Sequence, residues 1–157
     1  MESESDALHS IQGGADMRLW HKDLIPVLPK QQLLSQWREC CCIARNIAVN
    51  GTPNHLLVNK ILIYPIEHFA YYGRLIECEM AKRGYKHNSD RFDKWLRDDG
   101  GRFPYPEYDN LFKDWHNVRY LTQCYFNLQE KYDCGGISEG EWAKIVKYLH
   151  AHIEKER

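Results

Sequence analysis

Apolar residues recur along most of this chain at the three- and four-residue spacing of a helix face, and no segment alternates convincingly as a strand would. The first such face predicts a helix from about Lys30 to Asn46. Leu33, Leu34, Trp37, Cys40, Cys41 and Ala44 form its stripe, Arg38 and Arg45 flank it, and Ser35, Glu39, Cys42 and Asn46 lie opposite. Ahead of it, Arg18 to Pro29 carries Leu19, Trp20, Leu24, Ile25, Val27 and Leu28 but is broken by Pro26 and Pro29. It reads as an extended strap over the core, because a proline disfavours helix in the residue before it. Thr52-Pro53 caps a second pattern through Leu56, Leu57, Lys60 and Ile61. Pro65 opens a third, with Phe69, Tyr72, Ile76 and Met80 in line and Gly84 as its stop. Ser89 to Leu96 reads as a short helix closed by Gly100-Gly101, and Phe103-Pro104-Tyr105-Pro106 as a loop. A long pattern from about Asp109 to Tyr132 follows, and Ser138-Glu139-Gly140-Glu141 is a capping box for a last helix through Trp142, Ile145, Val146 and Leu149. The predicted class is all-α, a compact single domain with an N-terminal strap packed over the first long helix.

Residues 1 to 16 stand apart. They hold four acids and no Lys or Arg, end in Gly13-Gly14, and have little to bury, so they are expected to form a flexible extension ahead of a helical domain at 17–157. The 157 residues suit one core, and 43% hydrophobic with 27% charged residues is ordinary for a globular protein. No apolar run approaches the ~20 residues of a membrane span, and no signal-peptide pattern opens the chain, so the expected location is the cytoplasm and no membrane partner is expected. Three of the six cysteines are consecutive, Cys40 to Cys42, and no paired C-x-x-C frame exists. Reduced thiols rather than disulfides or a zinc site are expected, and the His150-x-His152 pair faces two ways on a helix, so no metal is expected.

The net charge of −1 argues against a generally basic nucleic-acid binder. The charge is uneven, however: residues 17 to 87 hold ten Lys or Arg against five acids, and residues 88 to 157 hold eleven against thirteen. A local positive excess of this kind can neutralise phosphates while the whole protein stays near neutral.

Leu33-Leu34-Ser35-Gln36-Trp37-Arg38-Glu39-Cys40, at its fixed distance from Met17, is similar to the pyrimidine-dimer DNA glycosylase and abasic-site lyase family of the phage endonuclease V type. From Met17 to Glu39 the two align without a gap. Further on, Glu79-Met80-Ala81-Lys82-Arg83-Gly84-Tyr85 resembles the family's Lys-Arg-Gly-aromatic helix end, and His68-Phe69-Ala70-Tyr71-Tyr72 resembles its His and aromatic cluster. The resemblance covers roughly Met17 to Tyr85. It implies a monomeric repair enzyme acting on duplex DNA that contains damaged pyrimidines, without metal or organic cofactor. In the family the backbone α-amine of the residue after the initiator methionine attacks the sugar and forms an imine, and a glutamate aligned with Glu39 supports the cationic intermediate and moves protons. An α-amine suits this role because its reference pKa of about 8 leaves much of it unprotonated at neutral pH.

The resemblance therefore makes Glu39, Met17 and Arg18 the candidate catalytic positions, and Arg38, Arg45, His21, His68, Lys82 and Arg83 the candidate DNA contacts. The nucleophile position departs from the family, since Arg18 stands where a small threonine follows the initiator, and His21 and Gln32 also replace polar positions that differ in the phage type. A chain starting at Met17 is then expected to keep that methionine and offer its amine one residue farther out. A chain starting at Met1 has no α-amine there, which leaves side chains such as Lys22 as substitutes. Two other accounts stay open: a non-catalytic helical module that binds DNA or protein on the same scaffold, and a small-molecule enzyme using Glu39 and His68.

Overall fold

The structure is a computed structural model that describes residues 17–96 and 103–155, the last three by backbone alone. The described residues form five α-helices and three short 3-10 helices, with no strand among them, so the all-α expectation holds. The helices are α1 (Lys30–Asn50), α2 (Ile66–Lys82), α3 (Asp90–Leu96), α4 (Val118–Asp133) and α5 (Glu139–Lys155). The expected extension at 1–16 and the Gly100-Gly101 stop lie outside the described residues.

α1 packs on α2 and α3, and α4 packs on α5. Gly73 of α2 lies directly under the Phe92 ring of α3, which leaves no room there for a side chain. Phe92 also meets Trp37 of α1 and Phe69 of α2, so the three helices share one aromatic contact. Arg74 ties the same pair of helices from outside, with ion pairs of 2.7 Å to both Glu77 and Asp93.

Several sequence expectations change in instructive ways. The strap is not extended throughout: Lys22–Val27 is a 3-10 helix that holds Pro26 inside it. The proline ring's fixed φ is compatible with such a turn, and His21 starts it by accepting the Asp23 amide on Nδ1 at 3.1 Å. The strap is threaded into the core, with Leu19 and Leu24 fully buried, and each such side chain contributes about 1.5–3 kcal/mol. α1 runs one turn past its expected end, to Gly51 at φ 76°, whose missing Cβ permits the left-handed cap. Leu34 is only half-buried, whereas Gln36 and Ile43 are fully buried.

Thr52-Pro53 caps no α-helix. The Thr52 hydroxyl accepts the Asn54 amide at 3.1 Å, Asn54 sits at φ 57°, and only a 3-10 helix forms, at Asn59–Ile63. The long pattern expected from Asp109 to Tyr132 is likewise broken. A 3-10 turn at Tyr108–Asn110 and positive φ at Phe112 (51°) and Asp114 (74°) precede α4, whose start is fixed by the Asn117 side chain accepting the Tyr120 amide at 2.9 Å. The Pro65 start of α2, the Ser89 start of α3 and the Ser138–Glu141 capping box stand as expected.

Candidate active site

Gln36 is the residue on which the site is built. It is fully buried on α1, one turn before Glu39, and every hydrogen-bonding position of its amide is used. Its Oε1 accepts the Trp20 amide at 2.7 Å, and the Tyr72 hydroxyl lies 2.9 Å from the same oxygen and 2.6 Å from the Trp20 carbonyl, sharing its one proton. Its Nε2 donates to the Arg18 carbonyl at 3.0 Å and to Glu39 Oε2 at 3.1 Å. The orientation is unambiguous, because the Trp20 N–H can only donate and must face the oxygen. One NH2 group thus touches both the strap backbone at Arg18 and the Glu39 carboxylate. The spacing of Met17 from Glu39 has a structural meaning: it lets the start of the strap reach the carboxylate through Gln36.

Around this group the strap is held from several sides. Met17 and Trp20 are buried, the Tyr120 hydroxyl donates to the Leu19 carbonyl at 2.6 Å, and the Lys22 amide donates to His116 Nδ1 at 3.0 Å. The His21 and His116 rings stack at 5.1 Å beside Tyr120. Burial, only partly offset by Asp23, holds the His21 pKa down at about 4, and burial also pushes His116 well below the usual histidine range. Both rings are neutral at physiological pH and act here as packing and hydrogen-bonding groups.

The Arg18 side chain is half-buried beside the Cys124 thiol. Its guanidinium lies 5.5 Å from the centre of the Trp20 ring, and it lines an open cavity of about 660 Å³. Lys60 supplies a second cation there and Glu130 one acid, Trp115, Tyr120 and Phe126 supply aromatic wall, and Gln123 and Asn127, one turn apart on α4, supply amides. Sequence reasoning missed this wall. Tyr120, Gln123 and Asn127 do recur on one face of α4, and that mixed aromatic and amide spacing was the available signal.

The other candidate contacts are dispersed. Arg38 is exposed on the turn carrying Glu39, bonded to the Ser35 hydroxyl at 3.1 Å, and Arg45 follows seven residues later on the same side of α1. His21 is buried in the aromatic cluster, and His68, half-buried with its pKa lowered by burial, accepts the Phe112 amide on Nδ1 at 3.1 Å. Lys82 is exposed at the end of α2. Arg83 donates to the carbonyls of Leu28 at 2.7 Å and Pro26 at 3.1 Å and pairs with Glu79, so its guanidinium clamps the strap's end.

Lys22, the substitute amine, is buried, and its Nζ donates to the carbonyls of Tyr108 at 2.6 Å and Leu111 at 3.1 Å, 4.7 Å from the Tyr108 ring centre. Its pKa is lowered by burial, yet both acceptors belong to the 108–111 segment rather than to the Glu39 group. None of the six cysteines forms a disulfide, and burial raises the thiols of Cys40 and Cys41, the latter to about 12, so neither ionises readily. Among the described residues no three His, Cys, Asp or Glu side chains gather as a metal site, and no helix is long and apolar enough to cross a membrane.

A buried amide thus joins the Glu39 carboxylate to the backbone at the head of the strap, on an all-helical scaffold. Residues 17–93, just under half of the chain, match the family model described as pyrimidine dimer DNA glycosylase, so over that segment the chain is similar to this family. The match contains the whole strap, Gln36, Glu39 and Lys60, and it leaves out the cavity wall on α4. No curated protein and no solved structure matches the chain.

Proposed function

We propose that this protein is a DNA repair glycosylase with abasic-site lyase activity, excising pyrimidine photodimers from duplex DNA. The observation that carries the proposal is the Gln36 amide, which holds the Arg18 carbonyl and the Glu39 carboxylate on one nitrogen. On this reading an amine at the head of the strap works beside that carboxylate. In a chain beginning at Met17 that amine is the α-amine. Its nitrogen bonds to the sugar C1′ as the glycosidic bond breaks and its electron pair leaves with the base. The sugar ring opens to an imine, and loss of a proton from C2′ expels the 3′ phosphate. Glu39 supports the cationic stages and carries protons between them. Arg38 and Arg45 provide phosphate contacts beside it.

Borohydride trapping on duplexes holding an abasic site or a photodimer tests this directly, since reduction fixes the imine as a covalent adduct. A chain beginning at Met17 should trap more adduct than one beginning at Met1, and Glu39→Gln should bind DNA while losing turnover. If neither chain traps on either duplex where a known lyase does, the amine chemistry is wrong. Retained DNA binding in that case makes the protein a non-catalytic DNA-binding module.

A further inference from the structure

Leu56 is the least expected surface residue of the molecule. It is 84% exposed, and Leu57 beside it is 41% exposed, yet the loop that presents them is firmly built. Asn59 Oδ1 accepts the His55 amide at 3.2 Å, His55 Nδ1 accepts the Leu57 amide at 3.3 Å, and the Asn46 amide reaches the Pro53 carbonyl at 3.5 Å. Val58 and Pro53 anchor the loop in the interior. Exposure of a leucine in a floppy loop needs no account, but a hydrogen-bonded platform that holds one in water does. Leu56 and Leu57 stand at the rim of the same cavity that Arg18 and Lys60 line, and Arg18 is the residue whose carbonyl shares Gln36 with Glu39.

We propose that Leu56 is a wedge that enters the base stack of duplex DNA beside the nucleotide presented to Glu39. The proposal rests on the DNA-repair function above. The charge pattern selects this occupant: an apolar tip beside two cations and a single acid, Glu130, fits a partner whose apolar interior lies inside a polyanionic envelope, and stacked bases between phosphates have that structure. A leucine pushed between bases leaves water and stabilises the opened step, and Phe126, 57% exposed on the wall of the same cavity, offers a ring to a displaced base. The wedge acts by holding the duplex open, so it is a positioning residue and takes no part in bond making.

The test uses the full chain with intact duplex and with duplex carrying an abasic-site analogue next to 2-aminopurine, whose fluorescence rises on unstacking. The wild type should raise the fluorescence and prefer the lesion duplex. Leu56→Ala should keep the wild-type melting temperature and salt slope, lose the fluorescence rise, and bind the lesion duplex roughly ten- to a hundredfold more weakly. Leu56→Phe should restore both. Lys60→Ala should weaken both duplexes alike and flatten the salt slope by about one unit. The wedge is overturned, with the repair function intact, if Leu56→Ala still raises the fluorescence and keeps its preference. It is also overturned if the wild type sediments as a dimer that Leu56→Ala dissociates, which would make a second copy the occupant. A wild type that binds no duplex at low salt removes the DNA function and the wedge with it.

Discussion

Replacing Gln36 by leucine removes four contacts at one stroke and nearly preserves volume. The Trp20 N–H and the Arg18 carbonyl then lose the side chain that pairs them, whereas the Tyr72 hydroxyl keeps the Trp20 carbonyl. A buried backbone group left unpaired costs about 1–3 kcal/mol, with the lower end appropriate to Arg18, which is only partly buried. Together these come to about 2–4 kcal/mol, and apolar burial of the leucine offsets some of it, so the net loss should be about 1–3 kcal/mol. For a chain of this size that lowers the melting temperature by about 2–12 °C, readable by thermal or urea denaturation. Gln36→Glu sharpens the test. It keeps the oxygen facing Trp20 but sets a second carboxylate against Glu39, which raises the pKa of the new acid in the folded state. Its stability should be regained, relative to wild type, below that raised pKa, where the protonated acid donates again, and lost as pH rises through it. A leucine variant within about 0.5 kcal/mol of wild type, or a glutamate variant whose difference from wild type ignores pH, would refute the role given to this amide.

Four shorter predictions follow from other contacts. Because burial holds His21 near pKa 4 against 6.5 unfolded, its contribution is fully present above about pH 6.5 and lost as pH falls toward 4; about 3 kcal/mol should go from His21 alone, with His116 adding in the same direction, in urea titrations between pH 7.5 and 4.5. Arg83→Ala should cost about 1–3 kcal/mol, since it leaves the Leu28 and Pro26 carbonyls without their donor, and should leave the salt slope of DNA binding unchanged. Arg38→Ala with Arg45→Ala should do the reverse, flattening that slope by about two units in an anisotropy titration with little change in stability. Gly73→Ala should destabilise by about 1–3 kcal/mol in denaturation, because the new methyl group meets the Phe92 ring and neither helix can retreat without losing that contact.

The helices were legible because each buries a stripe at helical spacing, and a stripe such as Phe69, Tyr72, Ile76 and Met80 has no competing interpretation. The two places where periodicity misled share one cause. At Thr52 to Ile61 and at Asp109 to Asn117, short polar side chains take backbone hydrogen bonds for themselves: Thr52 and Asn59 in the first segment, Asn117 in the second. A hydrophobic spacing cannot register that competition, and so Leu56 falls in a helical pattern although it stands in water on a turn. Gln36 escaped for a different reason. On a wheel it is a polar residue at the edge of the stripe, and only the strap, sixteen residues upstream, supplies the partners that make its burial favourable.

The division of the site between two parts of the chain bears on what the family similarity can carry. The strap, Gln36, Glu39, Arg38 and Arg45 all lie in the matched segment, and they are the groups the proposed chemistry uses. Trp115, Tyr120, Gln123 and Asn127 lie beyond it, and they form the wall that a displaced nucleotide would meet. On the proposed function, bond making and lesion recognition fall to separate parts of the chain: a change at Glu39 should alter turnover on every duplex, whereas a change at Gln123 or Asn127 should alter the preference among lesions. Exchanging Gln123 for alanine and comparing photodimer with abasic duplex separates the two. An equal loss on both would mean that the α4 wall supports the scaffold and reads nothing; a loss confined to the duplex that still carries its bases would mean that the amide meets a base edge, because the abasic duplex offers no base to read.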